Sequence, residues 1–306
     1  MTVLRADTRD LIRTEFTTAG CDGWVWAQHT GQPSTGRGLG GTHIVPTASM
    51  YKMHLLGAAC LSIDEGLIDP TSRVTVSSRE GPRGGVGFGW YDDDIEVSVR
   101  DLMRQMVMVS DNVAAHRLFR LIEEDAPGAV NRLIDELDLR STNVVDALSA
   151  ASDHAAAGRP GTAEQDAVQH VSGHPGAESD AVAYRSTSTA QELCALIDWF
   201  WSGTPSSRSS PSDRSARSLG RTILGQQAWL HRIPSGFPAS GVSFHGKTGT
   251  IGAFRGETSV ITVDDEPPVT VCVMTRAARP GGNLPTVDTS IGRVARILVD
   301  ELRSER

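Results

Sequence analysis

Lysine is almost absent from this sequence. Of its 29 cationic residues all but two, Lys52 and Lys247, are arginine. Arginine keeps its proton under any condition a folded protein meets, whereas a lysine that is buried or set beside another cation can release one. The two lysines are therefore the only candidates for an amine base. Cysteine is scarce too: Cys21, Cys60, Cys194 and Cys272 lie far apart and form no C-x-x-C pair. That spacing argues against a disulfide framework or a zinc site and leaves buried, reduced thiols as the expectation. No basic run occurs, and the formal charge of -8 argues against nucleic acid or an anionic membrane as a partner. Nowhere do about 18 uncharged apolar residues run together, which excludes a spanning helix. The opening MTVLRADTRDLIRTEF carries charges throughout and lacks the apolar core of a signal peptide. The chain reads as cytoplasmic, or as secreted only if a leader has been removed.

What is present is an ordinary globular composition, 39% hydrophobic and 22% charged over 306 residues, enough for one large core or two intimate lobes. Leu11, Ile12 and Phe16 at helical spacing behind Asp7 predict a capped opening helix from about Thr8 to Thr18. Trp24 to Trp26 and the glycine-rich run from Gly31 to Gly41 read as a strand and hairpin, and Ser49 to Ile63 as a buried helix. Val97 to Ile122 reads as two helices joined by a short polar turn, and Ala129 to Leu139 as another amphipathic segment. From about Asp146 to Ala183 the sequence is rich in Ala, Gly, Ser and His with little periodicity. Helices are predicted again at Thr189 to Trp201 and at about Ser215 to Leu230, separated by the solvated connector SGTPSSRSSPSDR. Thr258 to Val263 and Val269 to Thr275 flank the turn DDEPP as a β-hairpin, and Ile291 to Leu302 closes the chain as a helix.

This order predicts an α+β fold, an α/β sandwich with an antiparallel sheet and an inserted all-helical lobe. Residues 1–47 with 215–306 form the sheet lobe, and 48–214 the insert, with an enlarged loop at 146–183. A cleft between such lobes is where ligands bind.

Ser49-Met-Tyr-Lys52 puts a hydroxyl and an amine on one helix face, the spacing of a nucleophile and its base. Ser110-Asp111-Asn112 stands on the turn between two predicted helices, and Lys247-Thr248-Gly249 at the start of a predicted strand. Ser-x-x-Lys alone recurs by chance; the three motifs in this order are specific. They resemble the class A β-lactamases and penicillin-binding proteins. The likeness extends to VRDLMRQMVMVSDNVAAHRLFRLI and to HRIPSGFP ahead of FHGKTGT, covering most of the chain.

The resemblance implies that Ser49 is the acylated nucleophile, Lys52 its base, and Ser110 the relay that passes a proton to the leaving nitrogen. It implies that Asn112 holds a substrate amide carbonyl, that Lys247 supplies positive field, and that Thr248, with Gly249 beside it, binds the substrate carboxylate. Backbone N–H groups of Ser49 and Thr250 would form the oxyanion hole, and Arg255 would add to carboxylate binding. No cofactor is implied, and the expected partner is a small molecule carrying a carboxylate. Lys52 must lose a proton while Lys247 stays charged.

In this family a loop glutamate activates the water that clears the acyl-enzyme. Here the corresponding stretch after Leu139-Arg-Ser-Thr142 runs NVVDALSAASDHAAAG, with alanines where the acid should be. Asp146, Asp153, His154, Glu164 and Asp166 are substitutes by position only, and such loop residues are usually solvated. His170 and His174 have metal-like spacing, but Gly173 and Pro175 break the helix that would align them, so no metal is expected. Trp90 and Tyr91 could wall the cleft entrance or simply pack locally. The expected activity is acyl transfer from a β-lactam or related amide with unusual deacylation. The alternatives are an esterase, amidase or acyltransferase on a dedicated metabolite, and a module that acylates once and stays trapped.

Overall fold

A computed structural model describes residues 3–77, 86–145, 186–201, 216–264 and 266–304. Helix α1 (Ala6–Ala19) buries Thr8, Ile12 and Phe16 along one stripe and stops at Gly20, whose φ of 70° gives the left-handed cap. Asp7 lies inside its first turn rather than ahead of it, and Arg5 occupies the cap position. The chain then enters β1 (Cys21–His29) and β2 (Gln32–Leu39). With β7 (Val242–Ile251), β8 (Phe254–Val263) and β9 (Val269–Ala277) these make a five-stranded antiparallel sheet in the order β2-β1-β9-β8-β7.

Alternation along the strands sorts their side chains to two faces. Val25, Ala27, Val271, Val273 and Ile261 pack beneath α1 and the closing helix α8 (Pro285–Arg303). Trp26, Val260, Cys272 and Met274 face the other way, into the helical part of the molecule. That part includes α3 (Val99–Met108), α4 (Asn112–Asp125), α5 (Ala129–Glu136), α6 (Ala190–Trp199) and α7 (Ala216–Leu224). At its centre is α2 (Lys52–Asp64), buried at ten of thirteen positions. A helix that is apolar on all sides is a core helix. Apart from the main sheet there are two short antiparallel pairs, β3 (Val45–Pro46) with β6 (Thr187–Ser188), and β4 (Arg73–Val76) with β5 (Ile95–Ser98).

The α+β architecture expected from the sequence is therefore present, with some boundaries moved. The helix expected to reach Leu230 ends at Leu224, and Gly225 after it packs so closely on the His245 ring that a Cβ there would lie 2.8 Å from it. The last helix begins at Pro285, not Ile291, proline being well suited to a first helical turn. The Lys-Thr-Gly motif lies in the second half of β7 rather than at a strand start. All four cysteines are free, and Cys60, Cys194 and Cys272 are buried, as expected. Among the described residues no helix is long and apolar enough to cross a membrane.

Candidate active site

Ser49 stands in a 3₁₀ turn, Ala48–Tyr51, that runs directly into α2. The turn is held from both sides. Behind it, Ser186 O accepts from Thr47 N at 2.9 Å and from Thr47 Oγ1 at 3.0 Å. In front, Met50 sits against two glycines of the sheet. A Cβ on Gly249 would lie 2.5 Å from Thr47 O and 3.1 Å from Met50 N, and one on Gly256 would lie 2.8 Å from Met50 Cε. Only glycine lets the strand come this near, and that approach sets the half-buried Ser49 beside the edge strand β7. Ala48, just ahead of the serine, has a φ of 46°, a region that alanine rarely enters.

Lys52 opens α2 and is fully buried. Its Nζ donates to Ser110 O at 2.6 Å, to Ser110 Oγ at 3.3 Å and to Asn112 Oδ1 at 2.7 Å. The second motif thus meets the first across 58 residues. Ser110 also has a left-handed backbone, φ 66°, and backbone strain of this kind concentrates at functional sites. Asp111 between them is structural: Oδ1 accepts from Val113 N and Ala114 N and caps α4, while Oδ2 accepts from Phe88 N at 2.7 Å. That last bond fastens the loop bearing the exposed Trp90 and Tyr91 next to the Ser110 turn.

Lys247 is fully buried, and its Nζ donates to Thr248 O at 2.9 Å. Burial pushes its amine well below the usual lysine range; the charges of Lys52 and Arg232 push the same way, and Glu257 opposes them. The expectation of a permanently charged Lys247 thus meets an environment that works against the charge. Thr248 N donates to Gln227 Oε1 at 2.6 Å, so it points off the free edge of β7. Thr250 N, two residues on, points the same way by the period of the strand, and Thr250 is exposed.

Arg232 organises the far side of this strand. Its Nε donates to Asp288 Oδ1 at 2.7 Å, its Nη1 to Gly249 O at 2.6 Å and Gly256 O at 2.8 Å, and its Nη2 to Thr250 Oγ1 at 2.5 Å. Arg255 is buried on the same face. Its Nη2 donates to Gly281 O at 2.5 Å and Gly282 O at 3.2 Å, and its Nε lies 3.7 Å from Asp288 Oδ1. The guanidinium that touches Thr250 is thus that of Arg232, which sequence reasoning missed. In a chain whose surface cations are nearly all arginine, one more arginine carries no signal. Glu257, an acid directly ahead of the predicted strand Thr258 to Val263, was the readable clue to a buried polar network here.

The structure therefore brings Lys52, Ser110 and Asn112 into hydrogen-bonding contact, and sets Thr248, Gly249 and Thr250 on the edge strand against the Ser49 turn. The substitutes for the deacylating acid, Asp146, Asp153, His154, Glu164 and Asp166, fall outside the described residues, as do His170 and His174. The segment that contains them leaves from Val145 and returns at Ser186, whose Oγ accepts from Val145 N at 3.0 Å and whose carbonyl holds Thr47.

Known proteins share this design. The beta-lactamase regulatory protein BlaB of Streptomyces cacaoi is 26% identical over 281 residues, 85% of this chain and 86% of that protein. The extended-spectrum beta-lactamase PER-1 of Pseudomonas aeruginosa is 24% identical over 240 residues, 76% of this chain and 67% of that one. Among solved structures, the beta-lactamase from Sphaerobacter thermophilus DSM 20745 superposes with a TM-score of 0.72 at 18% identity, covering 96% of this chain and 97% of that one. A PBP-A mutant in an acyl-enzyme complex with penicillin G does so at 0.71 and 17%, covering 99% and 100%. These two show the shared fold. The match that decides membership spans residues 5–302, nearly the whole sequence and all three motifs, and by it this chain belongs to the Beta-lactamase enzyme family.

Proposed function

We propose that the protein is a serine acyl-transfer enzyme that opens a β-lactam or a related amide through an acyl-Ser49 intermediate. The observation that carries this reading is the Lys52 Nζ bonded to Ser110 Oγ at 3.3 Å and to Asn112 Oδ1 at 2.7 Å, one turn of chain from Ser49. Ser49 Oγ attacks the carbonyl carbon, and its proton passes to the neutral Lys52 amine. Negative charge develops on the carbonyl oxygen, where Ser49 N and Thr250 N supply the donors; fixed donors of this kind are worth about 3 kcal/mol. As the C–N bond breaks, Lys52 returns the proton through Ser110 Oγ to the leaving nitrogen, leaving an ester on Ser49 and a free amine. Asn112, exposed beside Lys52, accepts or donates to the substrate amide. Thr248 and Arg232 take the substrate carboxylate, whose negative charge would also draw Lys247 back to its protonated form.

Water must then clear the ester, and the alanine-rich stretch after Thr142 offers no family-type glutamate for that step. We therefore expect acylation to outrun deacylation. The 26% identity to a relative described as regulatory favours a second reading, a sensor that acylates once and holds the adduct. An intact-mass time course with a penicillin, a cephalosporin and an aryl ester separates the two, because adduct formation and decay are read independently. An adduct on Ser49 that decays supports the enzyme; one that persists for hours supports the sensor. If neither a penicillin nor a fluorophosphonate modifies Ser49, and nitrocefin is not hydrolysed, the reading is wrong.

A further inference from the structure

Glu257 is fully buried on β8, directly across from Thr248 on β7. Its Oε2 accepts from Ile233 N at 2.8 Å, and its Oε1 accepts from Ser259 Oγ at 3.0 Å and from Gln227 Nε2 at 3.2 Å. Gln227 carries the connection onward, since its Oε1 accepts from Thr248 N at 2.6 Å. One carboxylate thus ties the turn that carries Arg232 to the strand that carries Thr248. We propose that Glu257 is a positioning residue of the carboxylate pocket that also sets the pocket's charge, taking up a proton when a substrate carboxylate binds. The inference rests on reading Thr248 and Arg232 as the carboxylate contacts.

Burial makes this exchange favourable, outweighing the Arg232 charge and the three hydrogen bonds, which favour the ionised form. Arg232 faces it from just ahead of a second 3₁₀ turn, Ile233–Gly236, Lys247 from β7 and the Cys272 thiol from β9, while Asp288 of α8 pairs with Arg232 and lies 3.7 Å from Arg255. Among the described residues every hydrogen bond that Glu257 accepts comes from a neutral donor, and burial holds its carboxyl up to about 7. It is therefore divided between its two forms near neutrality. A substrate carboxylate arriving on Thr248 and Arg232 brings a further negative charge beside Glu257 and Asp288, and closely set carboxylates do not all stay ionised. By reciprocity, the pocket's affinity for a carboxylate falls as Glu257 ionises.

Glu257→Gln tests this, because it keeps the shape and removes the titration. With benzylpenicillin, the wild type and E257Q should modify Ser49 at similar rates at pH 5.5, where both side chains are neutral. At pH 8.5 E257Q should be roughly tenfold faster. A fluorophosphonate, which has no carboxylate, should show the same ratio at both pH values. A benzylpenicillin ratio that does not change with pH, or an E257Q that is slower at pH 8.5, overturns the proposal; the latter would make Glu257 a counter-charge for Lys247. Labelling by the fluorophosphonate without acylation by benzylpenicillin at any pH overturns it too, while leaving Ser49 as nucleophile. If neither reagent labels Ser49, or if E257Q does not fold, calorimetry of non-covalent benzylpenicillin binding to a Ser49→Ala, Lys247→Arg double variant at pH 7, in buffers of differing ionisation enthalpy, decides, because arginine cannot take up the proton. Proton uptake on binding supports the proposal; no uptake, or no binding, refutes it.

Discussion

Lys52 reaches Ser110 twice and Asn112 once, while Lys247 turns inward onto Thr248 O. The two amines differ in what they are near, and so in what a substitution removes. Lys52→Arg keeps a cation but cannot accept the Ser49 proton, so adduct formation with benzylpenicillin should fall by roughly 1,000-fold or more. Lys247→Arg keeps the positive field, and the rate should fall by only about 10- to 100-fold. Equal losses, read as second-order acylation rates by intact mass, would argue against separate roles. The rarity of lysine is enough to single out both residues in the sequence. That burial and the charges of Lys52 and Arg232 push Lys247 down was not legible, because the sequence does not say that β7 and α2 converge.

At the scale of elements, the site is an edge strand set against a tight turn, and glycine makes the approach possible. Gly249→Ala would place a methyl 2.5 Å from Thr47 O, a backbone atom that cannot rotate away. We expect a stability loss of about 1–3 kcal/mol from overpacking and a much larger proportional loss of Ser49 acylation, since the turn carrying the nucleophile must move. Urea unfolding and adduct rates, measured on the same variant, read the two effects separately. Asp111→Ala removes one carboxylate that serves Val113 N, Ala114 N and Phe88 N at once. It should cost about 2–4 kcal/mol, more than a simple cap, and urea unfolding checks this. The helix-turn-helix around Ser110 was readable from periodicity alone. The tether from Asp111 to the loop of Trp90 was not, because it joins residues 23 apart through a side chain.

Over the whole molecule, two buried groups act oppositely on stability against pH. His54 is fully buried on α2, and desolvation lowers its imidazole from 6.5 to about 4. The stability that goes with its neutral form is complete above pH 6.5 and is lost as pH falls toward 4. Glu257 is raised from 4.5 to about 7, so its contribution is complete below pH 4.5 and is lost as pH rises through 7. Each change is on the order of 3 kcal/mol. Unfolding free energies measured from pH 4 to 8 should therefore show a shallow profile in the wild type. E257Q should leave a rise with pH between 4 and 6.5, and His54→Asn should leave a fall between 4.5 and 7. Identical profiles in all three proteins would mean that neither group titrates as its burial demands.

By itself the sequence determined the class of fold, the order of helices and strands, and the three motifs, since each rests on periodicity or on neighbours within a few residues. It also carried the alanine-rich stretch after Thr142, which is a matter of residue identity. Tertiary structure alone decided which side chains meet. The contact between Lys52 and Ser110 spans 58 residues, Arg232 rather than Arg255 touches Thr250, and Glu257 is joined to Thr248 through Gln227. Local patterns follow from the 3.6- and 2-residue periods that any stretch of chain displays. Charge environment and hydrogen-bond pairing depend on distances across elements, and those exist only once the sheet and helices have packed.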